Sequence, residues 1–139
     1  NYFGLRVDEI IRIIESIGDE NFGACIDTSN SSVLLEDPLY VTERLAPYAK
    51  TAHFKDFTVH MNPRGHVIAG TCIGEGMVDF RKIVRILQDS SYSGAAHVEL
   101  YIDRKETEEE TTRLEDECVG RSVSALRHIL ESETEGVEQ

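Results

Sequence analysis

The chain has 139 residues, with 26 acidic against 14 basic side chains, a net charge of −12 and an isoelectric point near 4.7. That balance disfavours a phosphate-tracking nucleic-acid binder and an anionic-membrane binder, which draw on Lys and Arg. No apolar run approaches the roughly 18 residues that cross a bilayer. The cysteines, Cys25, Cys72 and Cys118, are far apart with no Cys-x-x-Cys, which argues against structural zinc and reads as free buried thiols in a reducing, cytoplasmic setting.

In chain order, Val7, Ile10, Ile11, Ile14 and Ile17 recur at helical spacing with charges between them, and Gly18 stops the run. Phe22 to Asp27 is a short apolar run without alternation, the pattern of a strand buried on both faces. Asp37-Pro38 opens a second helix as N-cap and first helical residue. A second strand is expected at 51–55. From Asp56 to Gly76 the chain is rich in Gly and Pro and reads as irregular, with one small extra strand at His66 to Ala69. A third helix covers about Val78 to Gln88. A third strand covers 95–100, and a last helix covers about Glu108 to Leu130. Residues 1–132 form one domain on this reading, and residues 133–139 form an acidic tail expected to fray.

Strands alternating with helices imply an α/β fold with a parallel sheet. A complete (β/α)₈ barrel needs about 250 residues, so the pattern fits half of one. In such a barrel the C-terminal strand ends converge on one face. Asp27 ends the first strand, His53 lies in the second, and Glu99 lies near the end of the third. Two carboxylates and an imidazole at equivalent strand ends suit a divalent metal. Each alone has a plainer explanation: a helix cap for Asp27, a hydrogen-bonded core residue for His53. Glu99 is harder to dismiss, because burying a carboxylate without partners is costly.

Four segments carry a resemblance. Gly23-Ala24-Cys25-Ile26-Asp27-Thr28-Ser29-Asn30 resembles the Gly-x-x-x-Asp-Thr-x-His/Asn motif of xylose-isomerase-like barrels. His53-Phe54-Lys55-Asp56 is similar to their His-x-Lys-Asp motif. Ile73-Gly74-Glu75-Gly76-Met77-Val78-Asp79-Phe80 is similar to their Gly-x-Gly-x-Val-Asp-Phe segment. Tyr92-Ser93-Gly94 leading to Val98-Glu99 resembles their final strand. The resemblance implies the C-terminal half of a (β/α)₈ barrel in a metal-dependent sugar or sugar-phosphate isomerase or epimerase. It implies one divalent ion (Mn, Mg, Co or Zn) held by Asp27, His53 and Glu99, with a fourth ligand, a Glu, expected just before Asn1. Glu99 would double as an acid/base residue. Asn30, Lys55 and Arg64 would meet a small-molecule sugar or polyol ketone. Asp56 would cap a loop or orient a ligand.

Two other readings stand beside this one. Half a barrel leaves open sheet edges, which suits a non-catalytic fragment that pairs with another chain, as a homo-oligomer or with the other barrel half. An apurinic-site endonuclease of the endonuclease-IV type shares Asp27, His53 and Glu99. There, however, Asn30 and Arg64-Gly65-His66 stand where metal-binding His and Asp-x-His are expected.

Overall fold

The structure is a computed structural model and describes residues 4–135. Residues 1–3, before which the fourth ligand is expected, and residues 136–139 lie outside them. The chain divides into two compact units, Asn1–Phe54 with Lys82–His97, and Lys55–Arg81 with Val98–Gln139.

The first unit begins with helix α1 (Val7–Ile17). Its acidic residues Asp8 and Glu9 sit in the first turn, where they oppose the positive end of the helix dipole. Gly18 ends it in the left-handed region, at φ 62°, and returns its N–H to the Ile14 carbonyl. Strand β1 (Ala24–Asp27) follows, then a 3₁₀ turn over Asn30–Leu34. Helix α2 (Pro38–Leu45) starts as its sequence dictates: Asp37 Oδ1 accepts the N–H groups of Leu39 and Tyr40 at 2.8 and 3.2 Å. Strand β2 (Ala49–Phe54) runs parallel to β1, in register Cys25↔Thr51, Ile26↔Ala52, Asp27↔His53. Strand β5 (Ala95–Val98) lies on the other side of β2, giving the order β1-β2-β5. Helix α2 packs on β1 and on α1. Ile26, Leu45 and Ala52 are fully buried, so each removes its whole apolar surface from water, about 1.5–3 kcal/mol for the larger side chains. Between β2 and β5 in sequence comes α3 (Phe80–Asp89), whose Ile83, Val84 and Leu87 are buried. The parallel sheet and its helices agree with the expected fold class.

The second unit holds the largest departure from the sequence reading. Residues 56–76 were expected to be irregular, yet β3 (Asp56–Asn62) and β4 (Gly65–Thr71) form a full antiparallel hairpin, Asp56 facing Thr71 and Asn62 facing Gly65. Its two-residue loop is Pro63-Arg64. The Arg64 N–H donates to Asn62 Oδ1 at 2.7 Å, and Gly65 takes φ 135°, a conformation a side chain would oppose.

Helix α4 (Glu108–Glu135) extends past the expected end at Leu130, and Glu133 is buried with Arg81 Nη1 at 3.5 Å from its carboxylate.

Cys72 and Cys118 are joined as a disulfide, which corrects the expectation of three free thiols. Cys25 takes no part in it. The bridge spans 46 residues of sequence. Loop closure over that length predicts a stabilisation of about 2–4 kcal/mol. Urea unfolding with and without a reducing agent should show a loss of that size, and Cys118→Ser should make the midpoint indifferent to reductant. A midpoint that never responds to reductant in the parent protein would contradict this. Among the described residues no helix is long and apolar enough to cross a membrane.

Candidate metal and substrate site

In the first unit, β1 delivers Asp27 to its C-terminal end, almost wholly buried. The chain turns sharply there, and Asp27 Oδ1 accepts the N–H groups of Ser29 and Asn30, both at 2.9 Å. This turn locks the carboxylate in one orientation. Its register partner is His53 on β2, and the Thr28 N–H donates to the His53 carbonyl at 3.2 Å. The parallel pairing therefore places a carboxylate and an imidazole side by side at one end of the sheet. The His53 ring also meets His97 of β5 edge to face, with centroids 5.7 Å apart. His97 is thus a neighbour of the candidate ligand. Asn30 opens the 3₁₀ turn and is half-buried.

Tyr92, in the Tyr-Ser-Gly segment before β5, donates its hydroxyl to the Ala95 carbonyl at 2.7 Å. Its phenol is held above the ordinary tyrosine range, first by desolvation and then by the nearby Cys25.

In the second unit, Lys55, Glu99 and Tyr101 form a compact set. Glu99 lies one residue beyond the observed end of β5, where a strand to residue 100 was expected. Its Oε1 is 3.0 Å from Lys55 Nζ, and the Lys55 amine sits 4.7 Å from the centre of the Tyr101 ring. The Lys55 side chain is only 3% exposed, against 36% for Glu99.

Asp56 is buried, and its carboxylate collects four backbone donors: Phe57, Gly74, Gly76 and Val78, at 2.9 to 3.1 Å. It thus fastens the 74–78 loop, as the loop-capping expectation required. A Cβ at Gly76 would overlap Asp56 Oδ1 and approach the Phe57 carbonyl, which is why glycine stands there. Arg64, the remaining expected substrate ligand, is exposed at the hairpin tip. Seven residues of β3 separate it from Lys55, roughly 20 Å of extended strand, so the second unit does not bring those two together.

The family model for xylose isomerase-like TIM barrels matches residues 1–127. The chain belongs to that family. It is 25% identical over 127 residues to a 3-oxo-isoapionate decarboxylase of Pectobacterium atrosepticum, covering 90% of this chain and 46% of that protein. It is 30% identical over 102 residues to an inosose dehydratase of Lacticaseibacillus casei, covering 66% of this chain and 34% of the dehydratase. The chain thus spans between a third and about half of the length of these relatives. Among solved structures, it superposes with a TM-score of 0.74 on a xylose isomerase domain protein from Planctomyces limnophilus, at 16% identity, covering 93% of this chain and 45% of that one. A xylose isomerase-like TIM barrel protein from Mycobacterium smegmatis, solved in complex with magnesium, gives a TM-score of 0.61 at 20% identity, covering 86% of this chain and 40% of that one. At these identities the structural likeness speaks for the fold alone.

Proposed function

We propose that the chain carries the ligand and acid/base residues of a divalent-metal-dependent enzyme acting on a sugar or polyol ketone. The reaction would be proton removal next to a carbonyl, ending in isomerisation, epimerisation or loss of water. The observation that carries this reading is the register pair Asp27↔His53 at one end of the parallel sheet, with the Asp27 carboxylate fixed by two N–H groups. A buried, oriented carboxylate beside an imidazole is a sound start for a cation site. Glu99, the remaining residue of the ligand set that the resemblance implies, would supply the second carboxylate. Hard oxygen donors and one nitrogen suit Mg²⁺, Mn²⁺, Co²⁺ or Zn²⁺. The decarboxylase and dehydratase names of the relatives support a carbonyl-activating chemistry.

A cation held there would polarise the substrate carbonyl and stabilise negative charge developing on its oxygen. The chain's own residues supply the rest. Asp27 and His53 hold the site in place. Glu99 takes the proton from the carbon beside the carbonyl and then holds it for return to carbon or to a leaving hydroxyl. Asn30, at the rim of the turn after β1, orients substrate hydroxyls.

Calorimetric titration of the protein with Mn²⁺ or Mg²⁺ tests the reading. Asp27→Ala and His53→Ala should each weaken binding by on the order of 10²-fold, at or beyond the upper end of what loss of a supporting residue does. Unchanged affinity in both variants would remove the metal site and favour the non-catalytic assembly reading.

A further inference from the structure

Lys55 is a buried ammonium adjacent in sequence to Asp56, and its charge must be compensated where it lies. Its Nζ is 3.0 Å from Glu99 Oε1, and the face of Tyr101 lies 4.7 Å away. Tyr101 is itself seated by β4. A Cβ at Gly70 would overlap the Tyr101 carbonyl oxygen and come within 2.7 Å of its Cβ, so only glycine lets the 99–101 segment lie this close to the hairpin. Gly70, Tyr101, Lys55 and Glu99 thus form one chain of contacts within the second unit.

Resting on the reading of Glu99 as the acid/base group, we propose that Lys55 is a positioning residue for Glu99 and not a ligand of the substrate. Two observations separate these roles. A substrate ligand must offer its polar head to the cleft, whereas the Lys55 side chain is 3% exposed. Glu99, at 36%, remains open to a reactant. In addition, Glu99 lies just beyond the end of β5, in a segment without regular structure. A charge pair to a buried ammonium favours one rotamer of the Glu99 carboxylate. The aromatic face then keeps the four-carbon lysine stem from wandering. Misplacement of a reacting group by an ångström is enough to slow a reaction by on the order of 10²-fold.

The experiment uses the full-length protein, with solvent-deuterium uptake into a keto-sugar as the kinetic readout and the ¹⁵N-edited ammonium resonance of Lys55 as an independent one. Lys55→Met should lower kcat by on the order of 10²-fold while KM stays within about twofold. Tyr101→Phe keeps the ring face and should keep the ammonium signal. Tyr101→Leu, at a half-exposed position that tolerates change, should lose the slowly exchanging ammonium signal and about tenfold in kcat. A raised KM with kcat preserved in Lys55→Met would make Lys55 a substrate ligand and overturn the proposal. So would an ammonium signal indifferent to Glu99→Gln, or a lost signal in Tyr101→Leu with parental kcat. Full activity in Glu99→Gln is a different failure. It removes the acid/base reading of Glu99 and the positioning role with it, whatever the ammonium spectrum shows.

Discussion

Glu99→Gln in the full-length protein is expected to slow deuterium uptake next to the substrate carbonyl by on the order of 10² to 10⁴-fold. That range is about 2.7–5.5 kcal/mol of barrier, the amount one positioned acid/base group supplies. The substitution keeps the shape of the side chain and its ability to accept a hydrogen bond from Lys55, so folding should be preserved. The measurement is mass or NMR detection of deuterium in substrate and product, with a panel of keto-sugars and inososes and a saturating divalent ion. Full activity in the variant would defeat the mechanism, as would efficient turnover after chelation of the metal. Product formed without deuterium in the parent protein would point to an internal hydride shift. The cation site would then survive, but Glu99 would lose its role as base.

The second large effect is on stability. Asp56→Ala should destabilise the protein by about 4 kcal/mol or more. The carboxylate is buried and accepts the N–H groups of Phe57, Gly74, Gly76 and Val78. Each donor left without a partner in the interior costs about 1–3 kcal/mol. The whole stability of a domain is only about 5–15 kcal/mol, so the variant should be largely unfolded under mild heating or low urea. Asp56→Asn retains one acceptor oxygen but turns its NH₂ toward two of the donors, and it should fall between Ala and the parent. Gly76→Ala should be damaging as well, because its new Cβ overlaps the same carboxylate. A urea midpoint for Asp56→Ala equivalent to within about 0.5 kcal/mol of the parent would show that the loop does not depend on this anchor.

The parallel sheet was legible because its signals are local. Helical spacing in Val7 to Ile17, the Asp37-Pro38 start and the apolar strand runs each state their structure within a few residues. Asp27 and His53 were legible because strand ends in a parallel sheet fall on one side, and the observed register sets the two opposite each other. The hairpin was missed because its glycines and proline read as punctuation, while the modest alternation of Thr58-Val59-His60-Met61 spans only a few residues. Asn62 and Gly65 flanking Pro63-Arg64 were the available turn signal. Three of the four N–H groups on the Asp56 anchor come from about 20 residues away, and those leave no side-chain signature beyond Gly74 and Gly76. Burial of Lys55 was likewise invisible, since its compensating charge, Glu99, arrives 44 positions later in the sequence. The Cys72–Cys118 pairing depends on the long-range approach of α4, which spacing cannot disclose.

That bridge has a consequence for the chain under proteolysis. Every peptide bond from residue 73 to residue 117 lies inside the covalent ring closed by Cys72 and Cys118. The ring includes the exposed, irregular stretch around Asp103 to Lys105, where an enzyme such as trypsin would find Arg104 and Lys105 accessible. A single cut there opens the ring without releasing a fragment. The nicked molecule would migrate as one species on a denaturing gel and fall into two pieces only after its sulfurs are reduced.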